Sequence, residues 1–456
     1  MKIVYIASGA AGMYCGMCLH DNTLAAAMIA EGEDVLLVPT YTPLRTDEPD
    51  VSRLPPMMYG GINVFLQQKS ALFRRTPWFL DRLFDSPALL NWVSKFSSSV
   101  DASKLGPLTV SMLEGEQGKQ SKELRKLVEW LRTERPDVVH LSNAMLVGMA
   151  RAVRDEVGVP VVCSLSGEDI FLEKLTPPHY DQARRLLRER GGDVPAYTAL
   201  NRYYADYMID YMDLDPARVH VIPHGLKLAG HGMRPPRGPA GDREPLVIGY
   251  FARICYDKGL HLLAEAFRLL HERADLPPLR LVAGGYLGAA DRPYLERIEA
   301  QLRDWGLADR FLYAGEPDRD GKIRLLQSFD VLSVPAVYRE SKGLSILEAQ
   351  ANGVPVVQPA HGSYPEIVAA TGGGVLFEPE NPVDLADKLA PLLREPARLA
   401  ELGVRAHAAA HEQFDDRRMA RRTIELYRRL IGATDGPHRA ATDADRTFRV
   451  VDETLR

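Results

Sequence analysis

The stretch VYRESKGLSILEAQANGVPVV, Val337 to Val357, sets Glu340 and Glu348 on either side of Gly343, where a strand gives way to a helix. The pattern predicts a strand, DVLSVPAV, ending at about Val337, and a helix, LSILEAQAN, beginning near Leu344 and closed by Gly353. Glu340 then lies in the loop at a strand's carboxyl end, and Glu348 about one turn inside the helix. Helix starts draw anions, and a bare phosphate would be better served by lysines. Carboxylates suit hydroxyl groups instead, because they accept from sugar or ribose hydroxyls as a lysine cannot. Gly343 lets the backbone come close to a ligand, and the amides of Gly343, Leu344 and Ser345 offer donors to phosphate or hydroxyl oxygens. A sugar joined to a diphosphate matches this set. A solvated Glu340 and a favourable first-turn acid at Glu348 would give the same spacing, so the pair alone does not decide.

A second feature tips the balance. GYFARICYDKGLHLLAEAF places Arg253 and Lys258 just after another strand, at the mouth of its helix, where a phosphate-bearing ligand belongs. VAGGYLGAAD, with Gly285, adds a glycine-rich turn after the next strand. Each feature alone would pass for ordinary surface; together they describe a donor site.

These residues need a scaffold, and the surrounding sequence predicts one. From Leu246 onward, LVIGYF, LRLVAGG, RFLYAG, DVLSVPAV, VPVVQP and GGVLF alternate with helix-length amphipathic stretches. Such alternation means parallel βα units in a doubly wound α/β domain. The N-terminal half repeats the pattern more loosely. KIVYIAS, DVLLVPTY, PLTVSM, PDVVHLS, VPVVCSLS and RVHVIP read as strands, with helices near Asp21–Glu31, Lys119–Glu134 and Ala144–Glu156. The expected layout is a domain over 1–228 with an aromatic-rich insertion at about 55–103, a Gly/Pro-rich linker over 229–245, and a second domain over 246–412. A helix at about 413–432 packs back on the first domain, and a loose tail covers 433–456. Two Rossmann-like domains then face each other across a cleft, with ligands outside the strand carboxyl ends.

Composition excludes several classes. At 456 residues, 46% hydrophobic and 26% charged, the chain reads as a soluble globular enzyme of two or three domains. A net charge of -5 lacks the basic excess of a nucleic-acid binder. MKIVYIASG is too short for a secretory leader, and no run of about 18 apolar residues predicts a membrane span. Cys15, Cys18, Cys163 and Cys255 form no disulfide framework, which fits a reducing cytoplasm.

Glu, seven residues, Glu, embedded in RESKGLSILEAQANGVPVV, resembles the signature of retaining glycosyltransferases of family 4, which have the GT-B fold. The Arg253…Lys258-Gly259 pair, VIPHGL and GGGVLFEPENPVDLADKL match that family in order and spacing, and the resemblance runs from KIVYIAS to about Leu430. It implies a nucleotide-sugar donor, UDP-linked, held by the C-terminal domain, and an acceptor held by the N-terminal domain. Arg253 and Lys258 would hold the diphosphate, Glu340 the transferred sugar and Glu348 the ribose. No cofactor is implied, and no metal, since Arg253 and Lys258 supply the charge. Lys342 stands where the family usually has Phe; it leaves the donor-sugar contacts open and is expected in the donor site as a third cation near the phosphates. Ser166 stands where the family often has His, so no catalytic histidine is assigned. The competing readings are a GT-B sugar-nucleotide epimerase, a non-catalytic glycan-binding protein, and a thiol-redox protein acting through Cys15 and Cys18.

The acceptor side is less specified, and the acceptor itself (glycan, lipid-linked or small molecule) is not legible. Gly9, Gly12 and Gly16 follow the first strand and face the cleft, but without the G-x-G-x-x-G spacing of a nicotinamide site. Tyr14, Ser166 and Glu168 join this acceptor-side group, and His140 and Asn143 end the strand PDVVHLSN. A buried, satisfied His140 is the equal alternative. Cys15-x-x-Cys18 lacks the second pair of ligands that zinc needs, so two packed thiols is the better reading. Asp213 and Asp215 precede Pro216 in a turn and read as caps rather than metal ligands. The insertion could rest on a membrane surface; a helical cleft wall is preferred, because Asp81 and Asp85 dilute its basic face.

Overall fold

The computed structural model describes residues 1–9, 16–40, 44–53, 105–234 and 245–434. The candidates Gly12 and Tyr14, Cys15, the expected insertion at 55–103, residues 235–244 of the expected linker and residues 435–456 lie outside them.

The N-terminal domain is built from β1 (Lys2–Ala7), α1 (Gly16–Ala30), β2 (Asp34–Pro39), α2 (Gly106–Leu113), α3 (Ser121–Glu134), β3 (Val138–Leu141), α4 (Ala150–Val157), β4 (Val161–Leu165), α5 (Asp169–Leu172), α6 (His179–Gly191), β5 (Ala196–Ala199), α7 (Arg202–Met212) and β6 (Val219–Val221). The C-terminal domain follows with β7 (Leu246–Phe251), α8 (Leu260–His271), β8 (Leu279–Gly284), α9 (Arg292–Asp304), β9 (Phe311–Tyr313), α10 (Arg319–Gln327), β10 (Val331–Leu332), α11 (Leu344–Ala351), β11 (Val356–Pro359), α12 (Tyr364–Thr371), β12 (Gly374–Phe377), α13 (Pro382–Arg394) and α14 (Pro396–Gln413). A last helix, α15 (Asp416–Thr434), closes the described chain.

Each domain holds one parallel sheet, in the orders β2-β1-β3-β4-β5-β6 and β12-β11-β10-β7-β8-β9. Helices cover both faces, so β3 is buried throughout and β1 from Ile3 onward, and they read as near-continuous apolar runs. The strand order reverses between β1 and β3 and again between β7 and β10. Loops leaving the carboxyl ends of those pairs diverge and open a crevice, and that is where ligands sit in open α/β sheets.

Two predicted elements differ. PLTVSM is not a strand but lies in α2: Pro107 opens the helix, where its missing amide costs nothing, and the helix packs on α6. The strand taken in its place is β5, whose four residues AYTA are all buried; at that length no alternation marks it out. In addition, the helix expected over Ala144–Glu156 begins as a tighter 3-10 segment, Ala144–Met149, capped by Asn143.

The chain crosses between the domains twice, side by side. The Leu226 amide donates to the Phe414 carbonyl at 2.7 Å, and the Asp416 amide returns to the Leu226 carbonyl at 3.1 Å. Beyond the crossing α15 lies on the N-terminal domain, where Tyr427 bonds His140 at 2.5 Å and Arg428 pairs with Glu33 at 2.8 Å. Residues 229–234, the described part of the expected linker, are seated on the C-terminal domain. Arg319 donates to the Ala229 carbonyl at 2.9 Å, Asn352 bonds His231 at 2.8 Å, and Arg234 pairs with Asp330 at 2.7 Å.

Candidate functional site

The loops after β7 and β10, which flank the C-terminal reversal point, bring the predicted residues together. They touch through backbone: a Cβ on Gly259 would stand 1.8 Å from the Pro335 carbonyl oxygen, and Gly259 has φ +74°. Only glycine fits such an approach. Lys258, one residue earlier, bonds the Tyr338 hydroxyl at 2.5 Å and pairs with Glu340 Oε2. Tyr338 donates to that same oxygen at 2.7 Å, and the Lys342 amide donates to Oε1 at 3.1 Å. The loop after β11 supports the group from below, with the Ser363 amide on the Glu340 carbonyl at 2.8 Å.

Electrostatics fix the charge states. Glu340 is only 7% exposed; burial pushes its carboxyl upward, but Lys258 and Lys342 outweigh burial and hold it at about 2. Burial pulls the Lys258 ammonium down, and Glu340 more than restores it, so its pKa lies above the usual lysine value. Both members are charged at neutral pH. Glu340 is therefore too weak a base to take a proton from an alcohol, and serves as a fixed anion and hydrogen-bond acceptor.

Arg253 is half-buried beside this pair. Cys255, Tyr338 and Asp291 are the groups that act on its guanidinium, and among the described residues no carboxylate lies at ion-pair distance. Gly285 joins the same wall: its φ is +127°, and a Cβ there would stand 2.1 Å from the Ala252 carbonyl oxygen. Gly343, at φ +69°, starts α11; Leu344 and Ser345 form its first turn and stay half-buried. Glu348, 6% exposed, is paired by Lys322 at 2.5 Å.

The N-terminal candidates divide. Ser166 lies on the seam, its carbonyl accepting from the Lys342 ammonium and its hydroxyl 3.2 Å from Met17 Sδ. Gly9, two residues past β1, has φ +75°. Of the two readings of His140, the structure takes the core one over the cleft one: it is fully buried, stacked on Tyr5, and both ring nitrogens are engaged, one with Tyr427 and one with Ser164 at 2.7 Å. Asn143 is buried and caps the 3-10 segment through the Met145 amide at 3.0 Å, while also reaching Ser8 at 3.0 Å. Glu168 is likewise corrected from cleft residue to brace. It is 4% exposed, and its two oxygens accept from the Ala144 amide at 3.0 Å and the Ser166 amide at 2.6 Å, tying the loops after β3 and β4 together. Asp215 caps a turn through the Ala217 amide at 2.9 Å. Among the described residues no group of three or more His, Cys, Asp or Glu is arranged to hold a metal ion, and no helix is long and apolar enough to cross a membrane.

Sequence reasoning missed Tyr338, Asn201, Glu366 and Lys322. Asn201 donates to the Ser341 carbonyl at 2.6 Å, and Glu366 accepts from the Arg202 and Tyr203 amides at 2.9 and 3.1 Å, so a carboxylate of one domain caps helix α7 of the other. Tyr338 was within reach, two residues before Glu340. Asn201 and Glu366 gave no local signal, because their partners lie more than a hundred residues away, and Lys322 sits on a helix, α10, that the sequence did not single out.

Residues 237–409 match the family described as glycosyl transferases group 1, and residues 22–225 match the glycosyl transferase 4-like domain. The chain belongs to the family 4 glycosyltransferases of GT-B fold. Among relatives, the D-inositol 3-phosphate glycosyltransferase of Xylanimonas cellulosilytica is 32% identical over 228 residues, 47% of this chain and 52% of that protein. The chain thus spans about half the length of the curated relatives it matches. Among solved structures, the sucrose-phosphate synthase of Thermosynechococcus elongatus superposes at TM-score 0.68 with 18% identity, over 95% of this chain and all of that one. HepE of Anabaena, solved with UDP and glucose, does so at 0.63 with 18% identity, over 94% and 100%. At such identities these two attest the GT-B fold, and the site of this family 4 member rests on its own residues.

Proposed function

We propose that the chain is a retaining, metal-independent glycosyltransferase that moves a sugar from a nucleotide-diphosphate donor, UDP-linked, to an acceptor hydroxyl in the cytoplasm. The observation that carries this reading is Arg253, a half-buried guanidinium on which Asp291 acts without an ion pair among the described residues, set beside Lys258 at the reversal point of the sheet. A diphosphate would pair with both cations, and they would stabilise the charge that develops as the sugar–phosphate bond breaks. A low-pKa Glu340 orients sugar hydroxyls and favours positive character at the reacting carbon. Because that carboxylate is too acidic to act as base, the departing phosphate takes the acceptor proton, which suits attack from the leaving-group side and retention. The resemblance to HepE, solved with UDP, and to relatives named as glycosyltransferases supports the donor class.

Incubation with a panel of UDP-sugars and candidate acceptors, with and without a strong chelator, tests the reading. Release of UDP coupled to formation of an α-configured product, unchanged by the chelator, is the expected result. Epimerised sugar nucleotide without UDP release would place the chain among GT-B epimerases instead.

A further inference from the structure

Helix α10 opens at Asp318, whose carboxylate accepts from the Gly321 amide at 2.8 Å, and its first turn carries Arg319 and Lys322 into the seam between the domains. Lys322 is 2% exposed. Its ammonium lies 2.5 Å from Glu348 Oε1 in its own domain and 2.5 Å from Asp47 Oδ2 in the other. One cation thus serves two carboxylates, one on each domain. Burying an ammonium is costly unless it is paired; here burial pulls Lys322 down, and Glu348 and Asp47 more than offset it.

Asp47 belongs to a segment, residues 44–53, that is fixed to the N-terminal domain. Thr23 donates to Glu48 at 2.9 Å, Asn22 to the Pro49 carbonyl at 3.0 Å, and the Val51 amide to Asn22 at 3.0 Å. The same segment reaches over the loops after β8 and β9. Arg45 bonds Glu316 at 3.0 Å and lies 5.3 Å from the Tyr286 ring centre, and Glu48 is 3.6 Å from Arg319. The loop after β8 also borders Arg253, since the Ile254 amide donates to the Tyr286 carbonyl at 2.8 Å. With the diphosphate on Arg253 and Lys258, Glu348, whose charged partner is Lys322 and neither of those cations, is left for the nucleoside.

The geometry points to Lys322 as a positioning residue for the donor's nucleoside. It holds Oε1 of Glu348, leaves Oε2, which has no hydrogen-bond partner among the described residues, for the ribose hydroxyls, and through Asp47 links that contact to closure of the domains. The inference rests on the donor reading above. Any merely structural lysine could stabilise the seam, but only a positioning one makes ribose recognition depend on itself.

Calorimetry with UDP and 2′,3′-dideoxy-UDP, together with small-angle scattering of the ligand-free chain, tests it. The wild type should prefer UDP by about tenfold or more, the value of a hydrogen bond to a charged acceptor. Lys322→Met should erase the preference while leaving the dideoxy compound's affinity little changed. Asp47→Asn should keep the preference but enlarge the ligand-free radius of gyration. A folded Lys322→Met that still discriminates by about tenfold overturns the positioning role. Should that variant not fold, an Asp47→Asn chain as compact as the wild type overturns the link to closure. A wild type that binds neither nucleotide overturns the donor reading and the ribose role with it, while the scattering still decides the clasp.

Discussion

At the scale of single residues, the site rests on two kinds of cation. Lys258 is spoken for by Glu340 and Tyr338, whereas Arg253 forms no ion pair among the described residues, and Asp291 acts on it without one. Losing Arg253 should therefore affect ligand and transition state more than the fold. Arg253→Ala is expected to lose more than about 2 kcal/mol in kcat/KM, the scale of one preorganised charged contact, with a melting temperature close to wild type. Glu340→Ala should lose at least as much activity and should also destabilise, by about 3 kcal/mol, because it strands a buried lysine; urea denaturation separates the two effects. If both variants transfer sugar at near-normal rates, the site is misassigned. Arg253, Lys258 and Glu340 were legible because each sits in a short loop beside a glycine that marks a close approach. His140 stayed open between cleft and core because ending a strand places a residue near the crevice without deciding which way its side chain turns, and Glu168, in the loop after β4, gave no sign that backbone amides would claim both its oxygens. His140 turns into the core toward Tyr427, a partner 287 residues away.

At the scale of elements, glycines set the loops that carry those side chains. Gly259→Ala should cost about 2 kcal/mol or more in urea denaturation, since it combines a left-handed φ of +74° with a backbone contact at 1.8 Å. A change within about 0.5 kcal/mol would mean that the two loops are not held in register by that approach. The C-terminal strands were readable because each is an apolar run bounded by glycine or proline. The N-terminal half was less so. PLTVSM has the composition of a strand, and only its packing on α6 makes it a helix, while AYTA is too short for periodicity to speak.

At the scale of the whole molecule, buried neutral histidines link stability to pH. His20 and His224 meet nitrogen to nitrogen at 2.8 Å, beside the crossing between domains, and His140 lies behind them. Burial, aided for His20 by the Lys342 charge, lowers His20 and His140 to about 3, and burial lowers His224 well below its usual value. A base with a depressed folded pKa contributes stability that is complete above the unfolded value of 6.5 and is lost as pH falls below it toward 3. Three such groups give a slope of about 4 kcal/mol per pH unit at the steepest. The melting temperature should accordingly hold from pH 8 to about 6.5 and drop sharply below that, ahead of the acid titration of Glu340. A flat profile down to pH 5 would show these histidines to be solvated. Beyond a buried His140 as one of two readings, this was not legible beforehand, since the contacts join residues as far apart as His140 and Tyr427, 287 positions, or His20 and His224, 204, and no local pattern predicts them. The seam bonds between the domains were invisible for the same reason.

The claim on which the rest depends is that Arg253 and Lys258 hold a diphosphate. Calorimetric titration of UDP and of uridine, in chelator, against the wild type and Arg253→Ala addresses it directly. UDP should bind the wild type about tenfold to a hundredfold more tightly than uridine does, and Arg253→Ala should remove most of that advantage while leaving uridine unchanged. Equal affinities for the two compounds, or a UDP affinity indifferent to Arg253, would contradict the account.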